Sequence, residues 1–169
     1  MCDKAVKASK TERSADILAE RFAEEYPRYQ YAVVEFMVAH LTDVSRAFHG
    51  DLQQALVLAV IGQVRLGAGR TARDAEQVQP AAEELSITAS RIADVTGIPR
   101  ETVRRKLKLL QDRGWVDRRP DGAWYLVSGP DTDTTTPARR DFAELEERTR
   151  RILARLVVDL GQLARPPRR

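Results

Sequence analysis

Five basic side chains fall within nine residues of one stretch: Arg100, Arg104, Arg105, Lys106 and Lys108. Val103, Leu107 and Leu110 run among them at spacings of four and three, the period of a helix with one apolar face. At about 100° per residue, Arg104, Arg105, Lys108 and Glu101 turn to the side opposite that face. Guanidinium and ammonium groups held on the outside of a short rod suit anionic oxygens and acceptor pairs, which charged donors bind more strongly than neutral donors do. The chemistry on offer is recognition of a polyanion.

The flanking residues say how such a rod is held. Ile87 to Val95 reads as a short helix, with Ile92 and Val95 as apolar contacts. Gly97 follows the small Ala93 by four residues, and a sharp corner between packed helices wants a residue that tolerates positive φ. Ile98 plugs the gap below. Pro99 or Arg100 opens the second helix, where a proline costs nothing because the first turn has no use for its N–H. Gly114 closes that helix. Trp115–Arg119 and Ala123–Val127 then pair as two strands around "PDG". Helix, turn, helix and hairpin make a winged helix-turn-helix, with Ala93 and Gly97 at the turn and Arg118 and Arg119 near the wing tip.

The letters "IADVTGIPRETVRRKLKLLQDRGWV" resemble the winged helix-turn-helix of bacterial transcription regulators, in particular the DNA-binding half of the cyclic-AMP receptor (Crp/Fnr) family. There "RETV" followed by x-Arg opens the recognition helix. The resemblance implies that Arg100, Glu101 and Arg105 reach base edges in the major groove and that Thr102 sits near phosphates. Base chemistry agrees: arginine pairs with guanine O6 and N7, and a carboxylate accepts from cytosine N4. Arg104, Lys106, Lys108, Arg118 and Arg119 are then cast as phosphate clamps. The likeness covers about a quarter of the chain. The first 85 residues read as helices, not as a cyclic-nucleotide barrel. Long helices on both sides of a winged helix resemble the layout of MarR-type regulators, in which terminal helices make the dimer.

Charge distribution fits. The 169 residues carry a net charge of +3, yet residues 86–127 hold nine Lys/Arg against five Asp/Glu, leaving 19 against 20 elsewhere. A local basic excess on a near-neutral body suits a polyanion-binding module, although a solvated surface accounts for charge alone equally well.

Outside this segment the chain reads as helix. Ser14 stands as a cap before Ile17, Leu18 and Phe22, and Tyr26-Pro27 interrupts. A broad apolar stripe follows from Val33 to Phe48. His49-Gly50 is a stop signal, and Asp51 caps a helix apolar over most of its circumference. Gly67 and Gly69 argue against one continuous helix beyond that point. A last helix carries Phe142, Leu145, Ile152, Leu156, Leu160 and Leu163, with Thr149 in the gap, close to a heptad seam expected to dimerise. The expected organisation is a disordered tail (1–13), N-terminal helices for dimerisation and core (14–66), a linker (67–85), the winged helix-turn-helix (86–127), a second linker (128–137), a C-terminal dimerisation helix (138–165) and a basic tail (166–169).

Other chemistries find no support. His40 and His49 lie nine apart with no cysteine near, so Asp43 three after His40 makes a weak metal pair. Cys2, the single cysteine, has no neighbouring base and forms no disulfide within the chain. Gly67-x-Gly69 lacks the rest of a phosphate-binding fingerprint. Adjacent acids such as Glu24-Glu25, Glu83-Glu84 and Glu146-Glu147 diverge on a helix and share no site. No catalytic constellation, cofactor motif, membrane span or apolar signal core stands out, which points to a cytoplasmic protein and not to an enzyme. Phe36, Met37 and Phe48 leave room for a small-molecule effector between helices.

The expectation is a mostly α fold with a small β-hairpin wing, acting as a homodimer on double-stranded DNA with a pseudo-palindromic site. Two other classes share the letters: a plasmid or phage DNA-replication or partition initiator, and a winged-helix protein-interaction module.

Overall fold

The computed structural model describes residues 10–74, 83–128 and 136–164. In chain order the elements are α1 (Lys10–Glu24), α2 (Tyr26–Ala47), α3 (Leu52–Asp74), β1 (Ser86–Ile87), α4 (Ala89–Thr96), α5 (Arg100–Asp112), β2 (Val116–Arg118), β3 (Trp124–Leu126), α6 (Pro137–Asp141) and α7 (Ala143–Leu163). Two compact units share them: residues up to Thr42 and from Glu147 form one, and residues 43–146 form the other.

The second unit holds α3, the sheet, α4, α5 and α6. Its strands order as β1-β3-β2, all antiparallel. Ile87 lies opposite Trp124, and Arg118 opposite Trp124 from the other side. α5 packs against α3 and α4, and α3 also meets β1 and β3. The core joins Val57 and Ile61 of α3, Ile92 of α4, and Val103, Leu107 and Leu110 of α5. All six are fully buried, so truncating one such Leu or Ile to alanine removes about 2–5 kcal/mol.

Several boundaries differ from the sequence-based expectation, each for a local reason. The helix expected over Ile87–Val95 starts two residues later. Ser86 and Ile87 pair with β3 instead, and Thr88 caps α4 by accepting from Arg91 N–H at 3.2 Å. Val95 is exposed and not a core contact. Gly67 and Gly69 do not end α3, which continues to Asp74 through the start of the expected linker. Glycine lowers helix propensity by only about 1 kcal/mol, which packing along the rest of the helix overrides. Ser14 lies inside α1, which starts at Lys10. The expected single C-terminal helix is broken at Phe142, whose φ of −104° separates α6 from α7.

The stop at His49-Gly50 holds, with φ of 52° and 87°. So does the Asp51 cap, whose Oδ1 accepts from Gln54 N–H at 2.9 Å. The expected second linker does not separate α6 from the winged helix. Thr136 and Ala138 are buried, and Phe142 stacks on Phe48 at 4.9 Å. Among the described residues no helix is long and apolar enough to cross a membrane. Cys2 and the basic tail 166–169 lie outside the described residues.

Candidate nucleic-acid interface

The corner before α5 is built as its residues require. Gly97 sits at φ 70°, and its N–H reaches Ala93 O at 2.9 Å. That conformation costs a side-chain-bearing residue roughly 1–2 kcal/mol. Thr96 knits the turn: its hydroxyl donates to Ile92 O at 2.7 Å and accepts from Ile98 N–H at 3.2 Å. Nothing in the spacing had marked Thr96. Ile98 is buried beneath the turn and Ala93 is half-buried. Pro99 precedes the first residue of α5, and Val103 N–H closes back on its carbonyl at 3.0 Å.

The two faces of α5 separate as the wheel requires. Val103, Leu107 and Leu110 are buried, whereas Arg100, Glu101, Arg104, Arg105 and Lys108 are exposed and Thr102 is half-buried. Glu101 pairs with Arg104, and Lys108 pairs with Asp112 at 3.0 Å. The Arg100 side chain has no hydrogen bond or ion pair among the described residues. The Arg105 side chain has none either, and its charge acts on the Asp51 carboxyl. Pairs this exposed contribute little to stability and exchange readily for another anion.

Lys106 departs from the other four basic residues of α5. Its side chain is only 11% exposed, and its Nζ donates to Asp51 Oδ2 at 2.5 Å, across 55 residues of sequence. Burial pushes the Asp51 carboxyl up. The hydrogen bonds from Lys106 and Gln54 N–H and the charges of Lys106 and Arg105 outweigh it, so the net shift is downward.

The wing is closed by Gly122 at φ 90°, and Asp121 Oδ1 accepts from Ala123 N–H at 2.9 Å. Arg118 is exposed and lies over the Trp124 ring at 5.9 Å. Arg119 is less free than the hairpin suggested: its guanidinium holds Glu83 at 2.8 Å and Asp121 at 3.1 Å. These contacts raise its pKa. The Asp121 carboxyl is lowered chiefly by the Ala123 N–H, and that of Glu83 by a hydrogen bond from its own backbone and then by Arg119. At the root of the wing Asp117 Oδ1 accepts from Arg118 N–H at 2.7 Å and from Gln111 Nε2 at 3.0 Å, which ties the last turn of α5 to β2.

Beside the wing lies a cavity of about 480 Å³ lined by Arg65, Arg118, Arg119 and Tyr125. Arg65 is engaged by Ser128 at 2.8 Å and Arg119 by its two acids. Two of the three residues expected beside an effector pocket stack on other rings. Phe48 belongs to the aromatic cluster with Trp115 and Phe142, while Phe36 stacks on His40 at 5.6 Å. His40 Nδ1 lies 3.3 Å from Thr149 Oγ1.

The residues of the expected dimer seam are partly covered within the chain. Phe142 is in the aromatic cluster, Ile152 and Leu156 line a narrow groove with Ala32 and Phe36, and Leu163 is buried. Leu145 and Leu160 are half-buried. In the same unit as the groove Val34, Met37, Val38, Leu41, Val157 and Val158 are exposed; Met37 and Leu41 belong to the apolar stripe of α2, whereas the other four fall outside the periodic series.

No curated protein and no solved structure matches the chain. Residues 80–123 match the family model described as MarR family. The match spans β1, α4, α5, β2 and the turn of the wing, where the letters alone had offered a likeness to cyclic-AMP receptors and the MarR resemblance had rested on helical layout. The winged helix of this chain is therefore similar to that of the MarR family over residues 80–123.

Proposed function

We propose that this protein is a sequence-specific, double-stranded DNA-binding transcription regulator that acts as a dimer. One observation carries the reading: the exposed face of α5 presents the side chains of Arg100 and Arg105 without a hydrogen bond or ion pair among the described residues, on a helix seated over a buried core and a glycine corner. Arginines so displayed fit the guanine edge of the major groove, and Glu101 fits cytosine N4. Arg104, Lys108 and Arg118 serve the phosphates. Thr102 and Arg119 join them when DNA competes with their present surroundings. A second copy is required because paired recognition helices read half-sites about 34 Å apart along one groove face. The exposed apolar side chains of α2 and α7 supply its surface.

Selection of bound fragments from a random duplex pool tests the reading. Enrichment of a pseudo-palindrome with half-sites one helical turn apart is expected. Absence of any DNA retention at low salt overturns it and leaves the protein-interaction module.

A further inference from the structure

Lys106 lies in the most basic helix of the molecule, yet its ammonium group points into the fold. Asp51 is the reason. One carboxylate oxygen is committed to the first turn of α3, accepting from Gln54 N–H at 2.9 Å. That cap fixes the direction of the other oxygen, which receives Lys106 Nζ at 2.5 Å. The two side chains are 25% and 11% exposed, so solvent screens this pair much less than the surface pairs Lys108–Asp112 and Arg104–Glu101.

The apolar contacts between α3 and α5 hold the helices together, but Val57, Ile61, Val103 and Leu107 are non-directional in their attraction. A directed, charge-assisted bond at the N-terminus of α3 adds what they lack: a fixed rotation of α5 about its own axis. Arg105 is the neighbouring residue on α5, so a small roll there moves its guanidinium across the base edges it would read. A misplacement of about 1 Å is enough to lose a bidentate contact.

We propose that the Asp51–Lys106 ion pair is a strut that sets the presentation angle of α5, and that Lys106 is a positioning residue and not a phosphate contact. The proposal rests on the reading of α5 as the DNA-reading helix.

Asp51→Asn keeps the cap acceptor and removes the charge. Lys106→Met keeps the length and removes the charge. The two variants and their combination are compared with wild type by fluorescence anisotropy on a selected duplex and a random duplex, across a salt series. A strut predicts that each single variant lowers the ratio of selected to random affinity by about tenfold, that the double variant is no worse than either single, and that the salt slope of Lys106→Met matches wild type. A phosphate contact predicts the opposite pattern. Lys106→Met then loses about one unit of salt slope, and Asp51→Asn, by releasing a cation, tightens both duplexes. Either of those results overturns the proposal.

Amide exchange on the free proteins supplies a readout that needs no DNA. Faster exchange over Val103–Leu110 relative to the buried amides of α3, in both single variants, is expected, and rates equal to wild type overturn the strut. Should wild type fail to bind any duplex, the DNA reading falls while this measurement still decides the mechanical coupling. Lys106→Arg, which keeps a donor for Asp51, is expected to restore most of the discrimination lost in Lys106→Met.

Discussion

Trp115 Nε1 donates to Asp141 Oδ2 at 2.6 Å, joining the residue that starts the wing to the end of α6. The indole is 3% exposed, with Phe142 at 4.7 Å on one side and Phe48 at 6.0 Å on another. A buried indole N–H needs an acceptor, and the carboxylate that meets it comes from beyond the segment expected to be a linker. This hydrogen bond joins the packing of Thr136, Ala138 and Phe142 in holding α6 to the winged-helix unit. Asp141→Ala strands the donor, and a loss of about 1–3 kcal/mol is expected in urea unfolding followed by tryptophan fluorescence. Asp141→Asn retains an oxygen and is expected to lose less. Equal stability of Asp141→Ala and wild type would show that the bond contributes nothing net.

The two kinds of basic residue on α5 separate experimentally. On the proposed function, Arg100→Ala and Arg105→Ala are each expected to cost about 1–3 kcal/mol on the selected site and to relax base preference, because neither side chain has a competing role in the fold. Lys108→Ala is expected to weaken selected and random duplexes alike and to reduce the salt slope by about one, since its present partner Asp112 is an exposed pair that phosphate displaces. Binding isotherms across a salt series check both. Equal losses on the two duplexes for Arg105→Ala would remove it from the readers.

Acid should act on the α3–α5 junction through Asp51. Its carboxyl lies below the ordinary 3.8 in the folded protein because the bonds from Lys106 and Gln54 N–H outweigh desolvation. The contribution is therefore complete above about pH 4–5 and is lost as pH falls through the folded value. Thermal midpoints of wild type and Asp51→Asn are expected to differ by a constant amount from pH 5 to 8 and to converge below pH 4. A gap that widens on acidification contradicts this sign.

The winged helix was legible because its signals are local. Gly97 four after Ala93, the spacing of Val103, Leu107 and Leu110, and "PDG" between apolar runs each specify a backbone shape within a few residues. What escaped depends on partners distant in sequence. Ser86 and Ile87 become a strand only because Tyr125 and Trp124 lie alongside. Lys106 carries the same charge as its neighbours, and only Asp51, 55 residues earlier, turns it inward. Glu83 reaches Arg119 from across the sheet. The heptad-like series from Phe142 to Leu163 marks an apolar face that is mostly half-buried in the chain, and a period records such a face without naming what covers it.

The proposed dimer is tested on the exposed apolar side chains of α2 and α7. Val38 on α2 is 60% exposed and Val157 on α7 is 62% exposed, although neither sits among the polar residues that usually cover a helix in water. If these faces were solvent-bound in the working protein, Val38→Glu and Val157→Glu would change little, because exposed substitutions away from special features stay within about 0.5 kcal/mol. If they meet a second copy, each buries a carboxylate against an apolar partner, a cost that no rim contact offsets. Sedimentation equilibrium is expected to show wild type at twice the chain mass and both variants shifted to one chain. Their tryptophan fluorescence should be unchanged, because Trp115 and Trp124 belong to the winged-helix unit. Anisotropy should then show weak binding that no longer distinguishes a paired site from a single half-site. Variants that remain dimeric would move the interface elsewhere on the chain, with α1 and its exposed Ile17 and Leu18 as the next surface to mutate.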